Sequence, residues 1–190
     1  MSDKKNHLDI NSLPIDAELD SADQLAEQLA EELADNAEPS FKVGSRRDER
    51  VFAFNLIYAV DRFDYSVELE QIVEMFSSGF EVTVTDDSFP VRIAREVVAN
   101  RESLDEEYSP FLRNWKIERL GCCTRLILRM AVWEMRLPGA IPSVIINEAV
   151  ELAKMFSEKD AYKFVNGILD EIAKKRKAES DSSDVGESGS

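Results

Sequence analysis

A chain of 190 residues with 44% hydrophobic side chains holds enough apolar material for one packed domain with tails, which excludes global disorder. Seven glycines and six prolines are too few for a turn-rich sandwich or barrel. A net charge of −15 argues against a nucleic-acid surface only if it is evenly spread, and it is not. Residues 1–40 carry eleven acids against Lys4 and Lys5, a balance of −9, and residues 178–190 carry four acids and no base. The remaining −2 falls on residues 41–177, so the part with a core is nearly neutral. The N-terminus lacks the apolar stretch of a signal peptide, and no apolar run approaches the roughly 20 residues of a membrane span. A cytoplasmic location is the expectation.

The acidic arm, residues 1–40, contains one amphipathic stretch. Leu25, Leu29 and Leu33 recur at helical spacing after Ser21, a suitable N-cap, which predicts a short helix that either docks or frays. From residue 45 the apolar period is helical almost throughout. Residues 46–63 predict a first helix with Val51, Phe54, Ile57 and Tyr58 on its apolar face. Ser66 is expected to cap a second over about 67–78, burying Leu69, Ile72, Val73 and Phe76, with Gly79 ending it. "EVTVT" (81–85) alternates like a strand but has no partner, and reads as loop. Asp87 or Ser88 starts a third helix with Pro90 in its first turn and Val91, Ala94, Val97 and Val98 inward, continuing past Leu104 towards Pro110. "NWKIERL" (114–120) reads as a broken segment.

"TRLILRMAVWEM" (124–135) is nearly continuously apolar, as expected of a helix at the centre of a bundle. "PGAIP" (138–142) is a turn. Residues 143–156 predict a helix burying Val144, Ile145, Ala149, Leu152 and Ala153. Asp160 is placed to cap a last helix over about 161–176, ending in "KKRK", and the Ser/Gly/acid tail beyond 178 is expected to be disordered. Asn166-Gly167 would ordinarily signal a hairpin, but no strand-like run flanks it. It is expected inside the last helix, its missing Cβ admitting a neighbouring helix and Asn166 bonding across the contact. The sequence predicts an all-α protein.

Catalytic chemistry has little to stand on. His7 is the only histidine, and Glu148 and Glu151 lack the ExxH partner of a di-iron bundle. No glycine-rich phosphate loop or GxSxG elbow occurs. Adjacent Cys122 and Cys123 fit neither a redox nor a zinc spacing and read as packing residues. No cofactor or metal is expected. Binding chemistry is better represented. Arg46, Arg47 and Arg50 crowd the N-terminal turns of the first helix, where the dipole disfavours cations and an arriving phosphate would gain most. Lys163 beside Phe164, after Lys154 and Lys159, is a minimal unit for stacking on a splayed base while holding its phosphate. Taken alone, the arginines also fit a solvated basic face, and Phe164 also fits plain core.

"RRDER…AFNLIY", "TRLILRMAVWEM", "IPSVIINEAVELAKMF" and "KFVNGILDEIAK" occur in an order and spacing that resembles the NusB family of transcription antitermination factors, over about residues 44–176. The resemblance implies seven helices in two small bundles packed together, here flanked by acidic tails. It implies binding to the single-stranded boxA element of rRNA leaders as a heterodimer with NusE, a ribosomal small-subunit protein, on RNA polymerase. Carried over by position, it assigns RNA contact to Arg46, Arg47, Arg50, Asp160, Lys163 and Phe164. It assigns the NusE-facing surface to Tyr58, Thr124, Arg125 and Arg129, with Thr124 standing where the family usually carries an acid. The alternative is a helical protein–protein adaptor with little RNA affinity of its own. Whether the chain forms a homodimer is left open.

Overall fold

The computed structural model describes residues 44–80, 84–113 and 116–184, and every regular element among them is helical. The chain divides after Val98 into two compact units. The first holds α1 (Arg46–Arg62), α2 (Leu69–Phe80) and α3 (Phe89–Ala99, whose last residue falls past the division). The second holds α4 (Arg101–Tyr108), short 3-10 turns at Ser109–Phe111 and Ile117–Arg119, α5 (Cys122–Glu134), α6 (Pro142–Phe156) and α7 (Ala161–Asp184). The acidic arm, His7, residues 81–83 of the alternating stretch, Asn114-Trp115 and residues 185–190 lie outside the described residues.

In the first unit α1 starts with a capping box. The Ser45 hydroxyl accepts the Asp48 N–H at 3.2 Å while the Asp48 carboxylate accepts the Ser45 N–H at 2.9 Å. Nine consecutive residues, Phe52 to Val60, are then buried, so α1 is the unit's central rod rather than a one-faced helix. Phe52 meets Phe76 of α2 edge to face, with ring centroids 5.9 Å apart. Asp64 and Tyr65 turn the chain in the left-handed region, and the Tyr65 hydroxyl ties back to Asp61 at 2.7 Å. Ser66 does not cap α2. Its hydroxyl donates to the Phe63 carbonyl at 2.6 Å, and the helix begins three residues later and runs through Gly79.

The long third helix expected past Leu104 is two helices. At Asn100 the backbone leaves helical geometry, with φ −107° and ψ 16°, and its carbonyl accepts both the Leu104 N–H and the Ser103 hydroxyl. Asparagine is a weaker helix former than most, and its side chain makes no capping bond at this break. In α3, Ile93 joins Val91, Ala94 and Val97 in the core, while Val98 is half-buried.

In the second unit α5 is the centre, in contact with α4, α6 and α7, and eleven of its residues are buried. Cys123 is buried, Cys122 half-buried, and neither is in a disulfide. Pro142 occupies the first turn of α6, as the turn sequence predicts. Ile145, Ala149, Leu152 and Phe156 form the buried seam of α6 at i, i+4, i+7 and i+11. Val144, expected inside, is 49% exposed because it stands one position off that seam, about 100° around the helix.

Two polar clamps tie the unit together. Arg129 of α5 is buried and gripped at both ends by Asp105 of α4, at 2.7 and 2.6 Å, and Asp105 also accepts the Tyr108 hydroxyl at 2.7 Å. Glu107 receives Arg136 at 2.9 Å on one oxygen and Arg176 on the other. The last helix extends eight residues beyond the expected end at 176, into the acidic tail. Lys175 and Glu179, one turn apart at 3.8 Å, supply the i,i+4 pairing that favours continuation.

Asn166 and Gly167 lie within α7, as expected, but not for the expected reason. Asn166 is exposed, and a Cβ on Gly167 would meet no atom within 4 Å. The glycine therefore costs α7 about 1 kcal/mol relative to alanine without any packing return among the described residues.

Candidate nucleic-acid interface

The start of α7 is positioned by the turn at residues 157–160. Asp160, with φ +71°, directly precedes the helix, and its carboxylate holds the Lys163 ammonium at 2.7 Å. That hydrogen bond and charge raise the Lys163 pKa above the ordinary lysine value, so the ammonium stays protonated throughout the physiological range. Lys163 also stands 5.7 Å from the Tyr162 ring, and Lys154 of α6 stands 5.5 Å from it. An aromatic ring between two ammoniums results, which the sequence reading had not singled out.

Phe164 is half-buried and is the shared wall of two hollows. The first, about 180 Å³, is bounded by Arg119, Leu120, Gly121, Thr124, Glu158 and Ala161. The second, about 290 Å³, is bounded by Phe111, Leu112, Arg113, Lys163, Gly167, Ile168 and Glu171. Phe164 is therefore neither plain core nor a free surface ring. Each hollow also carries an exposed arginine, Arg119 or Arg113, and Arg113 pairs with Glu171.

A separate cationic group lies in the first unit. The Arg46 guanidinium sits 4.3 Å over the Phe89 ring, with Arg50 at 5.8 Å and Arg92 at 5.9 Å. Three arginines around one ring make a surface where planar cations, an aromatic face and any incoming anion reinforce one another. Arg47 is exposed nearby in sequence. The acids interspersed among the arginines have local duties: Asp48 closes the capping box, and Glu49 pairs with Arg46 at 2.8 Å. The contribution of α3 was legible only as "FPVRI", where Phe89 and Arg92 lie three apart on one helix face.

The residues expected to face a protein partner fare less well. Tyr58 is only 8% exposed and stacks on Phe54 with ring centroids 6.2 Å apart. Thr124 is 6% exposed and lines the first hollow. Arg129 is 6% exposed and paired with Asp105 at 2.6 Å. Arg125 keeps partial exposure. Thr124, Arg125 and Arg129 lie along α5 and Tyr58 in α1, and packing inside each unit, rather than the sequence pattern, decides which of them emerge.

The described residues form an all-helical protein that presents arginines and lysines beside aromatic rings, the side-chain chemistry of a polyanion-binding surface. The profile of the NusB family matches residues 47–174. Transcription antitermination protein NusB of Geotalea uraniireducens is 39% identical over 138 residues, covering 69% of this chain and 95% of the relative. Its counterpart from Macrococcus caseolyticus is 33% identical over 133 residues, 70% and 98% of the two chains. Among solved structures, T. maritima NusB superposes with a TM-score of 0.57 at 32% identity, covering 68% of this chain and 91% of that one. A chain from the crystal structure of a plectonemic RNA supercoil gives 0.61 at 26% identity, covering 69% and 95%. The chain belongs to the NusB family, and is a transcription antitermination factor rather than an enzyme.

Proposed function

We propose that the protein binds boxA-type single-stranded RNA of rRNA leaders together with NusE, within the antitermination complex on RNA polymerase. The observation that carries this reading is the placement of Phe164 between two hollows, each furnished with an exposed arginine and one also with Lys163. Single-stranded RNA is held by stacking splayed bases on aromatic rings while cations hold the backbone. The arginine group around Phe89 offers the first unit's share of phosphate contacts, with Arg46, Arg47 and Arg50 joined by Arg92. That a structural neighbour comes from an RNA crystal supports the same assignment. NusE would use the accessible part of the surface near Arg125, and joining two modest RNA-binding surfaces raises affinity through effective concentration. This work belongs in the cytoplasm, and among the described residues no helix is long and apolar enough to cross a membrane.

Fluorescence titration with a boxA-type RNA, with and without NusE, tests the reading. Phe164→Ala should cost about 1–3 kcal/mol of RNA affinity, and added NusE should tighten binding. RNA binding indistinguishable between wild type and Phe164→Ala, with no gain from NusE, would instead favour a protein–protein adaptor. The exposed Ile141 and Val144 at the head of α6 are the observation on that side.

A further inference from the structure

Gly167 lines the second hollow, and nothing in the packing of the described residues explains its identity. It lies in the interior of α7 with ordinary helical backbone, and a side chain placed there would project into open space. Glycine loosens a helix at such a position relative to alanine, and neither a left-handed φ nor a close neighbour accounts for it. What Gly167 does have is a place in the groove. Phe164, Gly167, Ile168 and Glu171 follow at i, i+3, i+4 and i+7 along one face of α7 and line the same hollow.

The groove has a cation at both ends of this bare strip. Lys163 stands at the Phe164 end, and Arg113, paired with Glu171, stands at the other. An aromatic wall, exposed helix backbone and two flanking cations match one nucleotide, with its base against Phe164 and the phosphates on either side reaching Lys163 and Arg113. We infer that Gly167 is the floor of a nucleotide subsite, where the sugar and base of one RNA residue rest directly on the backbone of α7. The inference rests on the RNA-binding reading above and adds a contact made through a missing side chain. A Cβ at this position would raise the floor by roughly 1.5 Å, one carbon–carbon bond. That is enough to forfeit van der Waals contact over the whole nucleotide.

The test uses the full chain as wild type, Gly167→Ala, Gly167→Gln and Phe164→Ala, each titrated with the same labelled boxA-type RNA and each melted alone. Gly167→Ala should raise Tm by about 2–4 °C while weakening RNA binding several-fold, and Gly167→Gln should weaken it further. A glycine kept only by the fold cannot produce that opposition of stability and affinity. Wild-type affinity in both glycine variants overturns the inference. If Phe164→Ala is weakened in that case, the RNA reading stands and only the subsite falls; if it too is unchanged, both fall. A drop in Tm accompanying the loss of affinity also overturns it, because the glycine would then be serving the fold.

Discussion

Replacing Asp105 with Asn tests whether Arg129 is an internal strut or a surface contact. Asp105 Oδ1 accepts both the Arg129 Nε–H and the Tyr108 hydroxyl, and Oδ2 accepts an Arg129 Nη2–H at 2.6 Å. An Asn amide can keep the carbonyl's two bonds, but its NH2 then meets the guanidinium donor head-on. The side chains are 8% and 18% exposed, so solvent screens the pair little. Losing a charge-assisted bond costs about 1.5–3 kcal/mol, and stranding one partner of a buried pair costs about 3–5 kcal/mol. Because Asn retains part of the network, about 3 kcal/mol is expected. Urea unfolding followed by circular dichroism measures it, as a lower midpoint at unchanged slope. A cycle with Arg129→Met should show strong coupling, the double variant being less destabilised than the sum of the singles. A loss below about 1 kcal/mol in Asp105→Asn, with no coupling to Arg129, would refute the strut.

Burial, the hydrogen bond to Asp105 and that carboxylate's charge all raise the Tyr108 phenol above its ordinary pKa. Its folded value lies above its unfolded value, so the stability it contributes is complete below about pH 10 and is lost as pH climbs beyond. Tyr108→Phe should therefore be less stable at neutral pH by about 1 kcal/mol, and the gap to wild type should narrow above pH 10 in urea titrations; parallel curves would refute the linkage. Val144→Ser should leave stability within about 0.5 kcal/mol, whereas Ile145→Ala one position along should cost about 2–5 kcal/mol, as read by thermal melts. Arg92→Ala should weaken RNA binding and lower the salt slope by about one unit, and an unaltered slope would remove α3 from the interface.

The sequence by itself determined where most helices lie, because a 3.6-residue apolar period and its punctuation by Pro90 and Pro142 are local properties of the chain, but it missed the break at Asn100 and the extension of α7 to Asp184. It likewise marked Arg46, Lys163 and Phe164 as candidates for binding, since unusual placements of charge and aromaticity can be seen without a fold. Tertiary structure decided everything that depends on what stands opposite. Val144 and Ile145 are equally apolar, and only the position of the α6 seam separates exposed from buried. Arg125 and Arg129 share one helix face, yet the carboxylate of Asp105, 24 residues earlier, commits one of them to the interior. Phe89 entered the cationic group because α3 brings its ring under arginines of α1. Gly167 was legible as an anomaly in a helix, but whether it faced a neighbour or open space required the neighbours' coordinates. Periodicity is written along the chain, whereas burial, pairing and vacancy are properties of pairs of segments.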